Sequence, residues 1–176
     1  MKNTRLLALA ACLLASSAAH AVSQTAKITA QSALIGLQVA AKQRQAKGVL
    51  PAEQNACVQA LKADELYATT DKVVSAALSA DELAAAEQFF GSVPGRKYAL
   101  HGLLGIYTTL GEQPPEPFPL ITTEDGKAIE AFTTSPAGQA LLKRQVLQTP
   151  AAQMAYDGRI QELVKRCQAI KPERAD

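Results

Sequence analysis

The chain has 176 residues, with 18 Lys and Arg against 16 Asp and Glu, few aromatic residues and no Trp. Lys2 and Arg5 account for the whole excess of positive charge, so residues 22–176 have a formal net charge of zero. A neutral chain with interspersed signs lacks the electrostatic footprint of a protein that binds nucleic acid or anionic membrane. Abundant Ala and few aromatics favour helices over a β-sandwich.

The first residues of the chain have the layout of a secretory signal peptide. Lys2 and Arg5 form a short basic front, residues 6–15 are apolar, and the small-x-small sequence "AHA" closes the segment. We therefore predict that residues 1–21 are cleaved and that the protein is exported to the periplasm. The alternative is a lipoprotein signal, in which the small residues before Cys12 direct lipidation of that cysteine.

Removal of the leader changes the cysteine count from three to two. Cys57 and Cys167 remain, and an even number of cysteines in an oxidising compartment predicts a disulfide. Closing a loop of about 110 residues stabilises a fold by nearly 5 kcal/mol in the chain-entropy model. The sequence leaves open whether the pair forms within one chain or between two chains. No CxxC spacing suggests redox exchange, so we predict a structural bridge.

Two helices are predicted at the start of the mature chain. Apolar residues of the first recur with helical period, and the helix is predicted to end at Gly48. Glutamines recur on it every seventh residue, at positions 24, 31, 38 and 45, and this row predicts a solvated face. The second helix is predicted over residues 52–77, with Cys57 and Leu61 one turn apart.

Two copies of one pattern follow, over about residues 78–110 and 121–147. In each copy a capped helix carries an inward Phe, a Ser starts a second helix after a break, and a Gly lies in the first turn of that helix. The residues are Phe89, Ser92 and Gly95 in the first copy and Phe132, Ser135 and Gly138 in the second. The small Gly permits close approach between the two arms of a copy. The repetition therefore predicts a duplicated helix-break-helix motif, packed about an approximate twofold axis or as successive layers.

The segments around the repeats complete the predicted architecture. Four prolines in residues 111–120 predict a stiff, extended connector. The second helix of the first copy has an apolar face so broad that it predicts a central, well-covered element. A last helix after Thr149 carries an apolar stripe that points Cys167 toward the core. No segment alternates with period two.

We therefore predict an all-α bundle of about six to seven helices with no sheet. Residues 22–170 form its single domain, and residues 171–176 form a polar, disordered tail. No later segment is apolar for long enough to span a bilayer.

Two stretches of the repeats carry a family resemblance. "LSADELAAAEQFFGSVPG" and "IEAFTTSPAGQALL" resemble the exported bacterial family called domain of unknown function 2059. Its members carry an acidic helix start and then a Phe-aromatic-x-Ser-Pro-x-Gly segment. The resemblance covers about residues 78–147, and the chain departs from the motif at Thr133 and at Pro94, as a divergent member would. It implies an all-helical periplasmic domain without an assigned activity.

The mature chain carries no recognisable catalytic, metal or cofactor motif. His101 is its one histidine, and neither a nucleophile nor a second metal ligand stands at matching spacing. We predict that His101 is an ordinary surface or interface residue. Acidic pairs occur at positions 64–65, 81–82 and 124–125, and the last two fall in predicted first helical turns, where acids complement the helix dipole. We predict no catalytic residue, no metal site and no cofactor.

Three hypotheses for function remain open. The preferred one is a non-catalytic periplasmic protein that binds another envelope protein, for instance as an immunity or inhibitor protein, with a homodimer as a further option. The second is a small-ligand carrier or envelope chaperone with a groove between its helical arms. The third is an enzyme acting on envelope polymer, which needs a carboxyl group with a raised pKa in a cleft.

Overall fold

The computed structural model describes residues 21–169. The predicted leader up to residue 20, its alternative lipid site at Cys12 and the predicted tail 171–176 lie outside these residues. Within them the chain forms eight α-helices and no strand, so the predicted all-α class is confirmed. The helices are α1 (Gln24–Ala46), α2 (Ala52–Ala60), α3 (Asp64–Ala77), α4 (Ala80–Gly91), α5 (Val93–Thr109), α6 (Thr123–Thr134), α7 (Pro136–Gly138) and α8 (Pro150–Gln168). A π-helical segment, Gln139–Lys143, continues α7, and a 3-10 turn spans Val146–Gln148.

Helix α1 is the central element of the bundle. Ser23 caps its start by accepting a hydrogen bond from the Ala26 amide, and Gly48 follows its end with a φ of +70°. Left-handed backbone of this kind suits Gly, so the predicted end of the helix is confirmed. The helix packs against α2, α3, α4 and α5. The central position predicted for the second helix of the first copy therefore belongs to α1 instead.

The single helix predicted over residues 52–77 is wrong, because the chain breaks there between α2 and α3. Leu61 is buried and has an extended backbone with φ −61° and ψ 145°. Asp64 and Glu65 then occupy the first turn of α3, where carboxylates complement the helix dipole. All three acidic pairs of the sequence thus mark helix starts, and the pair at 64–65 was the overlooked signal of this break.

The glutamine row on α1 is only partly solvated. The Gln38 side-chain amide lies 3.1 Å from the carbonyl oxygen of Gln59, near the end of α2. Asn55 of α2 donates to Gln45 Oε1 at 2.5 Å, whereas Gln31 is exposed. The prediction of a solvated face is therefore wrong for two of the four glutamines, which bind the carbonyl or amide groups that α2 brings to them.

The two cysteines of residues 21–169 are joined within one chain. Cys57 on α2 and Cys167 on α8 form a disulfide with their Cα atoms 5.5 Å apart, inside the usual range for such a bridge. Cys167 is buried beside Leu163 in a core cluster that also includes Leu34 of α1 and Leu66 of α3. The bridge therefore fastens the last helix to this core.

Two further clusters complete the interior. One is aromatic and joins the two repeats, through Phe89, Phe90 and Phe132. The other joins the start of α1 to α3 and to the π-helical segment, and Val22 packs at its edge. The predicted connector is non-helical over residues 112–122. Among residues 21–169, no helix combines the length and hydropathy needed to cross a bilayer.

Candidate functional site

The duplicated motif has the same geometry in both copies. Ser92 closes α4 and starts α5: its hydroxyl lies 2.6 Å from the Phe89 carbonyl oxygen and accepts from the Gly95 amide at 3.1 Å. In the second copy the Ser135 hydroxyl makes the equivalent contacts at 2.7 and 3.2 Å. The motif therefore turns the backbone between two helices in both places, and its residues have structural roles.

Each motif glycine sits against the carbonyl oxygen of the motif Phe. A Cβ atom added at Gly95 would lie 1.9 Å from the Phe89 oxygen. One added at Gly138 would lie 2.0 Å from the Phe132 oxygen. Both distances are far below the shortest contact between a carbon and an oxygen atom that are not bonded to each other. The close approach that the sequence predicted at the two glycines is therefore present in each copy.

The two motifs meet face to face. The rings of Phe89 and Phe132 occupy equivalent positions in the repeats, and they stack with centroids 3.9 Å apart and planes 4° apart. Phe90 packs edge-on against both rings. Contact between equivalent residues is what an approximate twofold axis requires. The stacked rings fit the approximate twofold arrangement, which stays a prediction beside the layered one.

Two ion pairs tie the copies together, with acids at equivalent positions and bases at different ones. Lys97 of the first copy contacts Asp125 of the second at 2.6 Å, and Arg144 of the second contacts Glu82 of the first at 2.7 Å. Each acid also completes a capping box at the start of its own helix. The Lys97 ammonium and the Thr122 amide lower the pKa of Asp125 to about 2. The Ser79 backbone and hydroxyl, followed by Arg144, lower the pKa of Glu82.

A repeat glutamate has a role that the sequence did not reveal. Glu87 of α4 accepts hydrogen bonds from the amides of Gln24 and Thr25, at 2.5 and 2.8 Å, and from the Thr25 hydroxyl at 2.6 Å. A carboxylate at this position satisfies free helical N–H groups and complements the helix dipole. Glu87 therefore fastens the start of α1 to the first copy, while its equivalent Glu130 is exposed.

Helix α5 is less covered than the sequence predicted. Of its 17 residues only Gly95 and Leu103 are buried. Val93, Leu100 and Leu104 are 54%, 38% and 44% exposed, and their i, i+7, i+11 spacing puts them on one face of the helix. The prediction of a well-covered α5 is wrong, because its neighbours α1, α4 and α6 leave this face of the helix exposed.

The proline-rich connector runs beside α5 and carries two further exposed apolar residues. His101 Nε2 lies 2.7 Å from the Pro119 carbonyl oxygen, which holds the connector beside α5. The next two residues, Leu120 and Ile121, are 86% and 41% exposed. We call Val93, Leu100, Leu104, Leu120 and Ile121 the apolar stripe. The sequence signal was an apolar face on α5 too broad for one neighbour to cover.

Two open grooves lie elsewhere on the molecule. One, of about 670 Å³, runs between α3 and α8 and is lined mainly by Ala and Val. The other, of about 600 Å³, lies between α1, α5 and residues 141–148. Both volumes fall in the range of small-ligand pockets. His101, predicted as an ordinary surface residue, lines the second groove.

The charged groups of residues 21–169 bear on the metal-site prediction and on the polymer-hydrolysing hypothesis. Within residues 21–169, no group of three or more His, Cys, Asp or Glu residues could hold a metal ion. The carboxyl groups with shifted pKa values are Glu65, Glu82 and Asp125, and each shift is downward. The polymer-hydrolysing hypothesis needs an upward shift, so none of these carboxyl groups favours it.

Comparison of the chain with models of protein families, with curated proteins and with solved structures finds no match. The resemblance of the repeats to domain of unknown function 2059 stays a prediction.

Proposed function

We propose that the protein is a non-catalytic binding protein of the bacterial envelope, which docks a helix of another protein along the apolar stripe. The exposed face of α5 carries this proposal. Exposed apolar side chains that share one face of a helix indicate a binding surface. Val93, Leu100 and Leu104 have the i, i+7, i+11 spacing with which the apolar face of one helix packs against another helix.

The charge beside the stripe favours a particular kind of partner. Arg96 is exposed next to the stripe on α5, and its guanidinium donates to the Gly91 carbonyl oxygen. Among the residues that the structure describes, no carboxylate pairs with Arg96, whereas Lys97 is already paired with Asp125. A partner helix with apolar residues in register and a carboxylate opposite Arg96 would complement this surface. An immunity or inhibitor protein that covers a toxin's helix is one such arrangement.

The proposed location rests on the leader and the disulfide. Cleavage after Ala21 would leave Val22 as the first residue, and Val22 is packed against the third core cluster. The proposed cleavage would therefore keep Val22 and its contact with this cluster. Intact-mass measurement of the protein from a periplasmic extract should give a chain that starts at Val22 with one disulfide; a lipid-modified chain starting at Cys12 would contradict it.

Site-specific photocrosslinking tests the docking surface. With p-benzoylphenylalanine at Leu100 or Leu104, irradiation in cells should give one crosslinked product of constant mass. The same residue at Met154, which is 70% exposed on α8, is the matched control and should not give it. Equal products from all three positions, or none from α5, would contradict the proposal.

The crosslinked partner must then be identified and purified, because capture alone does not prove specific docking. Leu104→Glu should weaken its binding at least tenfold, since a charge would enter an apolar interface, whereas Met154→Glu should leave it unchanged. Equal affinity of both variants would overturn the proposal. A crosslinked product with twice the mass of the chain would show that the partner is a second copy of this protein and not another envelope protein.

A further inference from the structure

The groove of about 600 Å³ lies on the other side of α5 from the apolar stripe. Its walls come from both copies of the repeat: Tyr98 and Leu141 are equivalent positions, as are Ala99 and Leu142, and all four line it. The groove is therefore located between the second helices of the two copies, with α1 along its side.

The lining defines the charge of a ligand. No Asp, Glu, Lys or Arg is among the residues that line the groove, and most of its surface is apolar. A charged molecule would lose hydration there without gaining a counter-charge. Phe90, Tyr98 and His101 contribute aromatic rings to the walls, and such rings pack favourably against another ring. The chemistry matches an uncharged molecule with an aromatic body.

Polar groups in the walls can orient such a molecule. His101 Nε2 faces the Pro119 carbonyl oxygen, which can only accept, so Nε2 carries the proton and Nδ1 is an acceptor in the neutral ring. The Tyr98 hydroxyl is protonated at neutral pH and can donate, and burial raises its pKa further. An N–H or O–H group on a ligand that reaches Nδ1 would find an acceptor there.

The backbone departs from regular helix at this groove. Leu141 and Leu142 belong to the π-helical segment Gln139–Lys143, and Gln145 adopts left-handed backbone with φ 50°. The equivalent residues of the first copy, 96–100, lie in regular α-helix. Isolated π segments and left-handed non-glycine residues are concentrated at functional sites. The second copy therefore departs from the first where it lines the groove.

We propose that this groove binds an uncharged aromatic small molecule that carries one hydrogen-bond donor. This site is separate from the apolar stripe. The protein would then either carry the small molecule or bind its partner protein in a way that depends on the small molecule.

Two fluorescent probes with the same ring system test the charge requirement. N-phenyl-1-naphthylamine is uncharged and has one N–H donor, whereas 8-anilinonaphthalene-1-sulfonate adds a sulfonate to the same scaffold. The neutral probe should bind the processed protein with 1:1 saturation and at least tenfold more tightly than the anion. Absence of saturable binding, or equal affinity for the two probes, would overturn the proposal.

Two glycines of α5 offer a matched pair of variants that locate the binding. An added Cβ meets no atom within 4 Å at Gly102, which lines the groove, or at Gly105, which does not. Leu in place of either glycine favours the helix, so both variants should fold, and circular dichroism checks this. Gly102→Leu should weaken binding of the neutral probe at least tenfold, and Gly105→Leu should change it less than twofold. Equal binding by both variants would place the probe elsewhere and overturn the proposal.

Discussion

The two copies of the repeat share their local construction and differ in their surroundings. In both, a Ser hydroxyl turns the chain after the motif Phe, and a Gly packs against the Phe carbonyl oxygen. In the first copy Glu87 binds the start of α1, and Phe90 is buried. In the second copy the equivalent Glu130 is exposed, and Thr133 stands at the position equivalent to Phe90. The same motif is thus packed against different elements in the two copies.

The second helices of the copies diverge further. Helix α5 is regular over 17 residues, while α7 is a single turn that widens into the π-helical segment. The capping bonds repeat because each joins residues three positions apart. The helices beyond them diverge because their neighbours come from remote parts of the chain. Hydrogen bonds between neighbouring residues therefore determine where a helix breaks. Packing against distant segments determines the helix that follows the break.

The motif glycines provide the most severe test of the equivalence between the copies. Gly95→Ala and Gly138→Ala should each lower the free energy of unfolding by roughly 3 kcal/mol, because the new methyl group overlaps a carbonyl oxygen and the backbone must move. Urea denaturation of both variants measures the loss. Gly126→Ala on α6, where a Cβ meets nothing within 4 Å, is the control and should be neutral or slightly stabilising. A loss in only one copy would break the equivalence.

The repeat glutamates test the difference between the copies. Glu87→Gln should lower the free energy of unfolding by about 1–2 kcal/mol, because a neutral amide holds the N–H groups of α1 less well. Glu130→Gln, the same change at the equivalent exposed position, should stay within about 0.5 kcal/mol of the parent protein. Amide exchange at Thr25 should accelerate only in the first variant. Equal effects of the two substitutions would contradict the different roles of the two copies.

The ion pair between Lys97 and Asp125 predicts a pH dependence. Because the Lys97 hydrogen bond lowers the pKa of Asp125 from 3.8 to about 2, its stabilising contribution is present above about pH 4 and is lost as the pH falls toward 2. Asp125→Asn should therefore be less stable than the parent near neutral pH, and the difference should shrink toward pH 2. Denaturation midpoints across this range measure it, with Glu130→Gln as the control whose small difference stays constant. A gap that widens in acid would contradict this sign.

The elements predicted correctly from the sequence depend on short-range bonds. Ser79, Thr122 and Thr149 each cap a helix by accepting a hydrogen bond from the amide three residues ahead. Four consecutive residues are therefore enough to predict each helix start. The break at Leu61 was missed because no Ser, Thr, Asn, Asp or Gly stands at its N-cap. The apolar stripe was missed for another reason: helical periodicity shows which residues share a face, and it does not show whether a neighbour covers that face.

By itself the sequence determined the all-α class, the two repeat breaks and the two cysteines that form the disulfide, since only these two lie beyond the proposed leader, whereas the structure shows that they pair within one chain. The tertiary structure alone decided that α1 rather than α5 is central, that Glu87 binds a helix while Glu130 does not, and that a groove opens where the copies meet. The physical reason is the range of the interactions. Caps and turns are formed by neighbouring residues, whereas burial depends on segments that the fold brings from far along the chain.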